Sequence, residues 1–123
     1  MRLSRLPWLV CLLWWTPTSA RAIHYEAFIA IETEEDLYEL LVTAQISEPT
    51  FNALLQLYQT RIELNRASRE ELYRLPNIDY ADVDRILAHL SGAGPVRAVR
   101  ELSAAGVLEA PVAASLAPFV LLQ

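Results

Sequence analysis

The stretch best suited to chemistry is the turn Pro76-Asn77-Ile78-Asp79-Tyr80, which runs straight into an apolar-striped segment. A turn that opens a helix presents backbone N–H groups with no partner inside the helix, and the helix dipole adds to their pull on an anion. A phosphate is the natural occupant of such a place. The chemistry on offer is therefore binding. Asp79, Asp82 and Asp84 stand in or just after the turn, so carboxylates compete for the same amides, and Asp79 suits a helix N-cap.

Other chemistry is poorly served. His24 and His89 are far apart with no partner at ligand spacing, which leaves no metal site. The three aspartates lack the glycine and distal glutamate of a calcium-binding loop. No lysine occurs anywhere, which removes Schiff-base catalysis and a phosphate-loop lysine. The serines stand at caps and turns, away from any histidine in a triad relation. We expect no enzyme activity and no cofactor.

The turn needs helices to hold it, and the sequence supplies them. Thr33 ahead of Glu34, Glu35 and Asp36 reads as an N-cap with acids in the first turn, followed by the stripe Leu37, Leu40, Leu41 and Ala44. Ser47 with Pro49 starts a second helix carrying Phe51, Leu54, Leu55 and Tyr58. Ser68 and Glu71 form a capping box for a brief helix with Leu72 and Leu75, which Pro76 closes. Val83, Ile86, Leu87 and Leu90 line the helix after the turn, and Gly92 and Gly94 stop it. Val99 to Leu102 open another helix, Ala105 to Glu109 turn, and Val112, Leu116 and Phe119 line a last one. Residues 23–32 show no clear period and read as a flexible arm.

These pairs repeat. Asp36-Leu37, Glu71-Leu72 and Glu101-Leu102 correspond at helix starts, and Ile46, Ile78 and Val107 as the apolar residue of the turn. Phe51, Val83 and Val112 then align, as do Leu55, Leu87 and Leu116, with three extra residues before the first turn. Short apolar anchor, capped helix and tight turn together describe a helix-hairpin-helix. The expected fold is all-α: tandem helix-hairpin-helix units of short helices after an N-terminal signal peptide.

That signal peptide is read at residues 1–22. Arg2 and Arg5 precede the apolar run Leu6 to Trp15, and Ala20 and Ala22 offer a small-residue cut before Ile23. Ten apolar residues fall short of the ~20 needed to cross a bilayer, which disfavours an uncleaved anchor. Large residues before Cys11 disfavour a lipid anchor there. Removal of Arg2, Arg5 and Arg21 leaves seven arginines against 15 acids, a net charge of −8 and no cysteine, so an oxidising compartment brings no disulfide. Residues 23–60, an acidic arm and helical pair, hold seven acids and no arginine; residues 61–123, the expected tandem domain, hold seven arginines and eight acids.

Residues 62–103 resemble the helix-hairpin-helix region of the ComEA family, exported competence proteins that bind incoming double-stranded DNA. The resemblance lies in Asn65, Ser68, Glu71, Leu72, Leu75, Pro76, Ile78, Ile86, Gly94 and Pro95. It implies non-specific, salt-dependent contact with the DNA backbone through turn amides, with weak affinity here. By this reading the site is Asn77, Ile78 and Asp79 in one turn, Gly106 and Val107 in the other, and the nearby Arg74, Arg85, Arg97 and Arg100. The family's turn has glycines where this chain has Asn77 and Asp79, and the last turn keeps Gly106 but has Leu108 for its second glycine. Two like charges ~4 Å apart at an effective dielectric of ~20 repel by about 4 kcal/mol. Asp79 therefore opposes a phosphate. The arginines have Glu63, Glu70, Glu71, Asp82, Asp84 and Glu101 as local partners.

Two functions follow. One is exported, periplasmic or envelope-associated DNA binding in DNA uptake. The other is a cell-envelope protein-interaction or structural module that keeps the fold without its phosphate site, its acidic segment 26–48 suiting a basic partner. Helix-hairpin-helix glycosylases are the enzyme alternative, but their catalytic lysine has no counterpart here.

Overall fold

The computed structural model describes residues 25–123, so the expected signal peptide at residues 1–22 lies outside the described residues. Within them the chain is a mostly helical small domain with one short two-stranded sheet.

Local signals set the helices. Helix α1 spans Glu34–Val42 behind a capping box in which Thr33 and Asp36 satisfy each other's amides. Helix α2, Glu48–Thr60, starts at Ser47 with Pro49 in its first turn. Strand β1, Ile62–Glu63, and a 3-10 turn at Leu64–Arg66 lead to α3, Arg69–Leu72, whose capping box is Ser68 with Glu71. Helix α3 ends at Leu72, ahead of Pro76, and Leu75 is buried in the turn that follows. Helix α4, Tyr80–Ala93, begins at Asp79 and ends at Gly94, whose φ of 86° suits glycine. Helices α5, Arg100–Ala104, and α6, Ala110–Ser115, precede a 3-10 turn at Ala117–Phe119 and strand β2, Val120–Leu121.

The sheet qualifies the all-α expectation. Strands β1 and β2 run parallel, with Ile62 beside Val120 and Glu63 beside Leu121, so the connector after α2 is tied to the chain's last residues. Tyr58 of α2 meets Phe119 edge-on at 6.4 Å between ring centres, which packs α2 against the same C-terminal turn.

One hydrophobic cluster holds these parts together. Leu37, Leu54 and Leu57 from the first helical pair join Leu72, Val83 and Ile86 from the second and Leu102, Leu116 and Phe119 from the third. Ile29 and Ile31 are buried in the same cluster, at 0 % and 6 % exposure. The flexible-arm expectation is thereby corrected: the segment before α1 is part of the core.

The turns after α1 and α5 share a hydrogen-bond pattern, which the turn after α3 does not follow, and their register differs from the expected one. After α1, the amides of Thr43, Ala44, Gln45 and Ile46 donate to the carbonyls of Glu39, Leu41, Leu40 and Leu40. After α5, those of Ala105, Gly106, Val107 and Leu108 donate to Glu101, Ser103, Leu102 and Leu102, the same pattern position for position. Ile46 therefore corresponds to Leu108, not Val107. Ser47, Asp79 and Glu109 are the three second-helix N-caps. Counting from them, the core rows are Phe51, Val83 and Ala113, then Leu54, Ile86 and Leu116, all buried. Leu55 and Leu87 stand beside the core, not in it. The three extra residues lie at the start of α1 as one added turn, because Leu40, Leu72 and Leu102 all precede their N-caps by the same interval. Ala44 falls outside α1 with φ of 61° and is exposed, contrary to its place in the expected stripe.

Candidate functional site

The first turn is held from outside by the arm. Asn77 adopts φ of 70°, a left-handed conformation that asparagine tolerates better than most residues. Its side chain faces Ile29 across the turn. Oδ1 accepts from the Ile29 amide at 2.8 Å, and Nδ2 donates to the Ile29 carbonyl at 2.8 Å. Nδ2 also donates to Ser115 Oγ at 2.9 Å, and Ser115 in turn donates to the Val112 carbonyl at 2.6 Å. One carboxamide thus joins the arm, the first turn and α6. Upstream, Tyr25 donates to the Arg74 carbonyl at 2.9 Å. Burial raises the Tyr25 phenol above its usual range, against the pull of the Arg74 guanidinium.

The helix amides after the turn are filled by the chain itself. The Asp82 amide donates to Asp79 Oδ1 at 2.9 Å, and the Asp79 amide to Asp82 Oδ2 at 3.0 Å. The bond from the Asp82 amide lowers the Asp79 carboxyl below the usual carboxylate range, with Arg85 adding a smaller pull. Arg85 pairs with Asp82 and its Nε donates to the Val107 carbonyl at 3.0 Å, so it bridges α4 to the second turn.

Each turn borders a cleft, and both clefts share Asp82. The one over the first turn, about 470 Å³, is lined by Tyr25, Glu26 and Phe28 with Asn77, Ile78 and Asp79. The one at the second turn, about 590 Å³, is lined by Arg85, Gly106, Val107, Leu108 and Glu109. Gly106 has φ of 75°, and open space surrounds the position of an added Cβ.

The structure therefore gathers Asn77, Ile78, Asp79, Arg85, Gly106 and Val107 around the two turns. Ile78 and Val107 are buried. Arg74 lies just before the first turn and is exposed. Arg97 and Arg100 lie at the start of α5, the opposite end of that helix from Gly106. The Arg97 amide donates to Glu101 Oε2 at 3.2 Å. Of the other arginines, Arg66 faces Glu63 at 3.9 Å, Arg69 pairs with Asp84, and Arg61 lies over the Tyr58 ring at 5.9 Å. Pairing with local acids thus accounts for Arg66, Arg69 and Arg85. Among the described residues no carboxylate pairs with Arg74, Arg97 or Arg100.

Sequence reasoning missed Glu26, Phe28, Ile29 and Ser115 as parts of the site. Glu26 Oε2 accepts from Ser47 at 2.8 Å and from Thr50 at 2.9 Å, which lowers its carboxyl and ties the arm to the start of α2. A signal for the arm was present. Tyr25, Ala27, Ile29 and Ile31 alternate with Glu26, Phe28, Ala30 and Glu32, the period of an extended segment with one face inward.

Among the described residues no group of three or more His, Cys, Asp or Glu side chains is placed to hold a metal ion. No helix among them is long and apolar enough to cross a membrane. No protein-family model, curated protein or solved structure matches the chain.

Proposed function

We propose that this chain is an exported tandem helix-hairpin-helix protein whose fold serves protein contact at the cell envelope, its turns having lost the phosphate cradle. The three helical pairs are then the units, with Ile46, Ile78 and Leu108 as their turn anchors. The observation that carries this reading is the Asn77 carboxamide bound to both backbone groups of Ile29. A phosphate approaching the first turn would meet the docked arm and the carboxylates of Glu26, Asp79 and Asp82. It would also have to displace the Asp79–Asp82 capping box from the amides it needs. Each step opposes binding, and the arginine nearest both turns, Arg85, is engaged with Asp82 and Val107.

The test is a titration of the full chain with a labelled DNA duplex at about 50 mM and about 200 mM salt, where phosphate contacts separate strongly. No binding at the lower salt supports the reading. Binding that falls steeply with salt, and falls further in Arg74→Ala and Arg85→Ala, overturns it in favour of DNA uptake.

A further inference from the structure

The outward face of the arm has the wrong polarity for a segment lying on a protein surface. Glu26 and Glu32 belong in water, but Phe28 and Ala30 stand between them, and Phe28 is 52 % exposed. An aromatic ring is among the largest apolar surfaces a residue can bury.

Two clefts meet at that ring. On one side is the cleft over the first turn, with Glu26, Asp79 and Asp82. On the other, between the arm and α6, a cleft of about 440 Å³ is floored by Ala30, Pro111 and Ala114 and rimmed by Glu32 and Asp36. The lining of both clefts contains no arginine, and of the seven between residues 61 and 123 only Arg85 pairs with a lining carboxylate, that of Asp82, which leaves Glu26, Glu32, Asp36 and Asp79 without an arginine partner among the described residues. The surface thus combines an apolar ridge and floor with carboxylates of a single sign.

We propose that this face seats an extended cationic segment of a protein partner, with an apolar side chain against Phe28, Ala30 and Ala114 and arginine or lysine side chains toward Glu26 and Asp79. Charge chooses among occupants. A nucleic acid or an acidic segment is repelled, and so is a second copy of this acidic chain. The apolar ridge then supplies contact that a purely ionic encounter lacks. The proposal rests on the protein-contact reading and names the chemistry of the partner.

The test uses three labelled probes with the full chain: an Arg-Leu-Arg-Leu-Arg peptide, its Glu-Leu-Glu-Leu-Glu counterpart and a DNA duplex. The arginine peptide is expected to bind and the glutamate peptide is not. Phe28→Ser weakens binding by about tenfold, the loss of one partly buried ring. Glu26→Gln weakens it and reduces its salt dependence. Val42→Ser, which removes an 81 % exposed apolar residue elsewhere, leaves it unchanged. Circular dichroism of each variant confirms that it folds. Absence of binding, equal binding of both peptides, or equal loss in the Phe28 and Val42 variants overturns the proposal while the duplex stays silent. Binding of the duplex overturns the protein-contact reading itself.

Discussion

Ala44 and Gly106 occupy the same place in the same turn. Each closes a helix with positive φ, 61° and 75°, and each donates to the third carbonyl before it, Leu41 and Ser103. Only one of them is the residue that this backbone prefers, since a Cβ makes the left-handed region costly. Ala44→Gly is expected to raise stability by about 1 kcal/mol, and Gly106→Ala to lower it by about 1 kcal/mol. Urea unfolding of both variants checks the pair; shifts of the same sign would show that the two turns are not equivalent.

Asn77 bears more than its own turn. Asn77→Ala removes three hydrogen bonds and leaves Ile29, fully buried, with both backbone groups short of partners. A loss of about 3 kcal/mol is expected, a large share of the stability of a domain this size. Asn77→Asp keeps the acceptor for the Ile29 amide but cannot donate when ionised, so it recovers part of that stability, and more of it at acid pH. Hydrogen exchange at Ile29 reads the effect directly. Unchanged protection there in the alanine variant would mean that the arm is held by burial alone.

Asn65 makes the same clasp elsewhere. Its Oδ1 accepts from the Val96 amide at 2.7 Å, and its Nδ2 donates to the Val96 carbonyl at 2.9 Å and the Gln123 carbonyl at 3.1 Å. Asn65→Ala is expected to cost about 2 kcal/mol and to speed proteolysis between α4 and α5. Asn65→Gln, one methylene too long for the clasp, falls close to the alanine variant; full rescue by glutamine would refute the paired geometry.

Acid should loosen the caps in a defined window. Hydroxyl donors from Ser47 and Thr50 hold Glu26 below its ordinary value, the amides of Glu32 and Thr33 do so for Asp36, and the Asp82 amide for Asp79. A folded pKa below the unfolded one adds stability that is complete above the unfolded values, near 4, and is lost as pH falls through the lower folded values. These groups face solvent, so added salt shrinks the effect. The urea midpoint should be flat from about pH 7 to about pH 5 and fall below about pH 4, less steeply in an Asp36→Asn, Asp79→Asn double variant. An identical acid limb in that variant would place the pH dependence elsewhere.

Much of the fold was legible because it is local. Thr33, Ser47, Ser68 and Asp79 act within three residues of where they stand, and each does cap its helix. The third repeat slipped by one because Val107 and Leu108 are both apolar and both buried, so composition alone gives no register. The arm was missed because Phe28 and Ala30 put apolar residues on its outer face and blurred the alternation. The clasp was out of reach for a different reason: Ile29 and Asn77 lie 48 residues apart, and an asparagine at positive φ gives no hint of what its side chain will hold. The strands have two residues each, too few to carry a period.

The parallel pair of Ile62 with Val120 also fixes an order of events. Each helical pair closes over a few residues and can form early, but β1 waits for a partner near the end of the chain. Ile29 waits for Asn77 and, through it, for Ser115. During synthesis the arm therefore emerges ahead of the residues that secure it, its isoleucines uncovered until Asn77 and Ser115 follow.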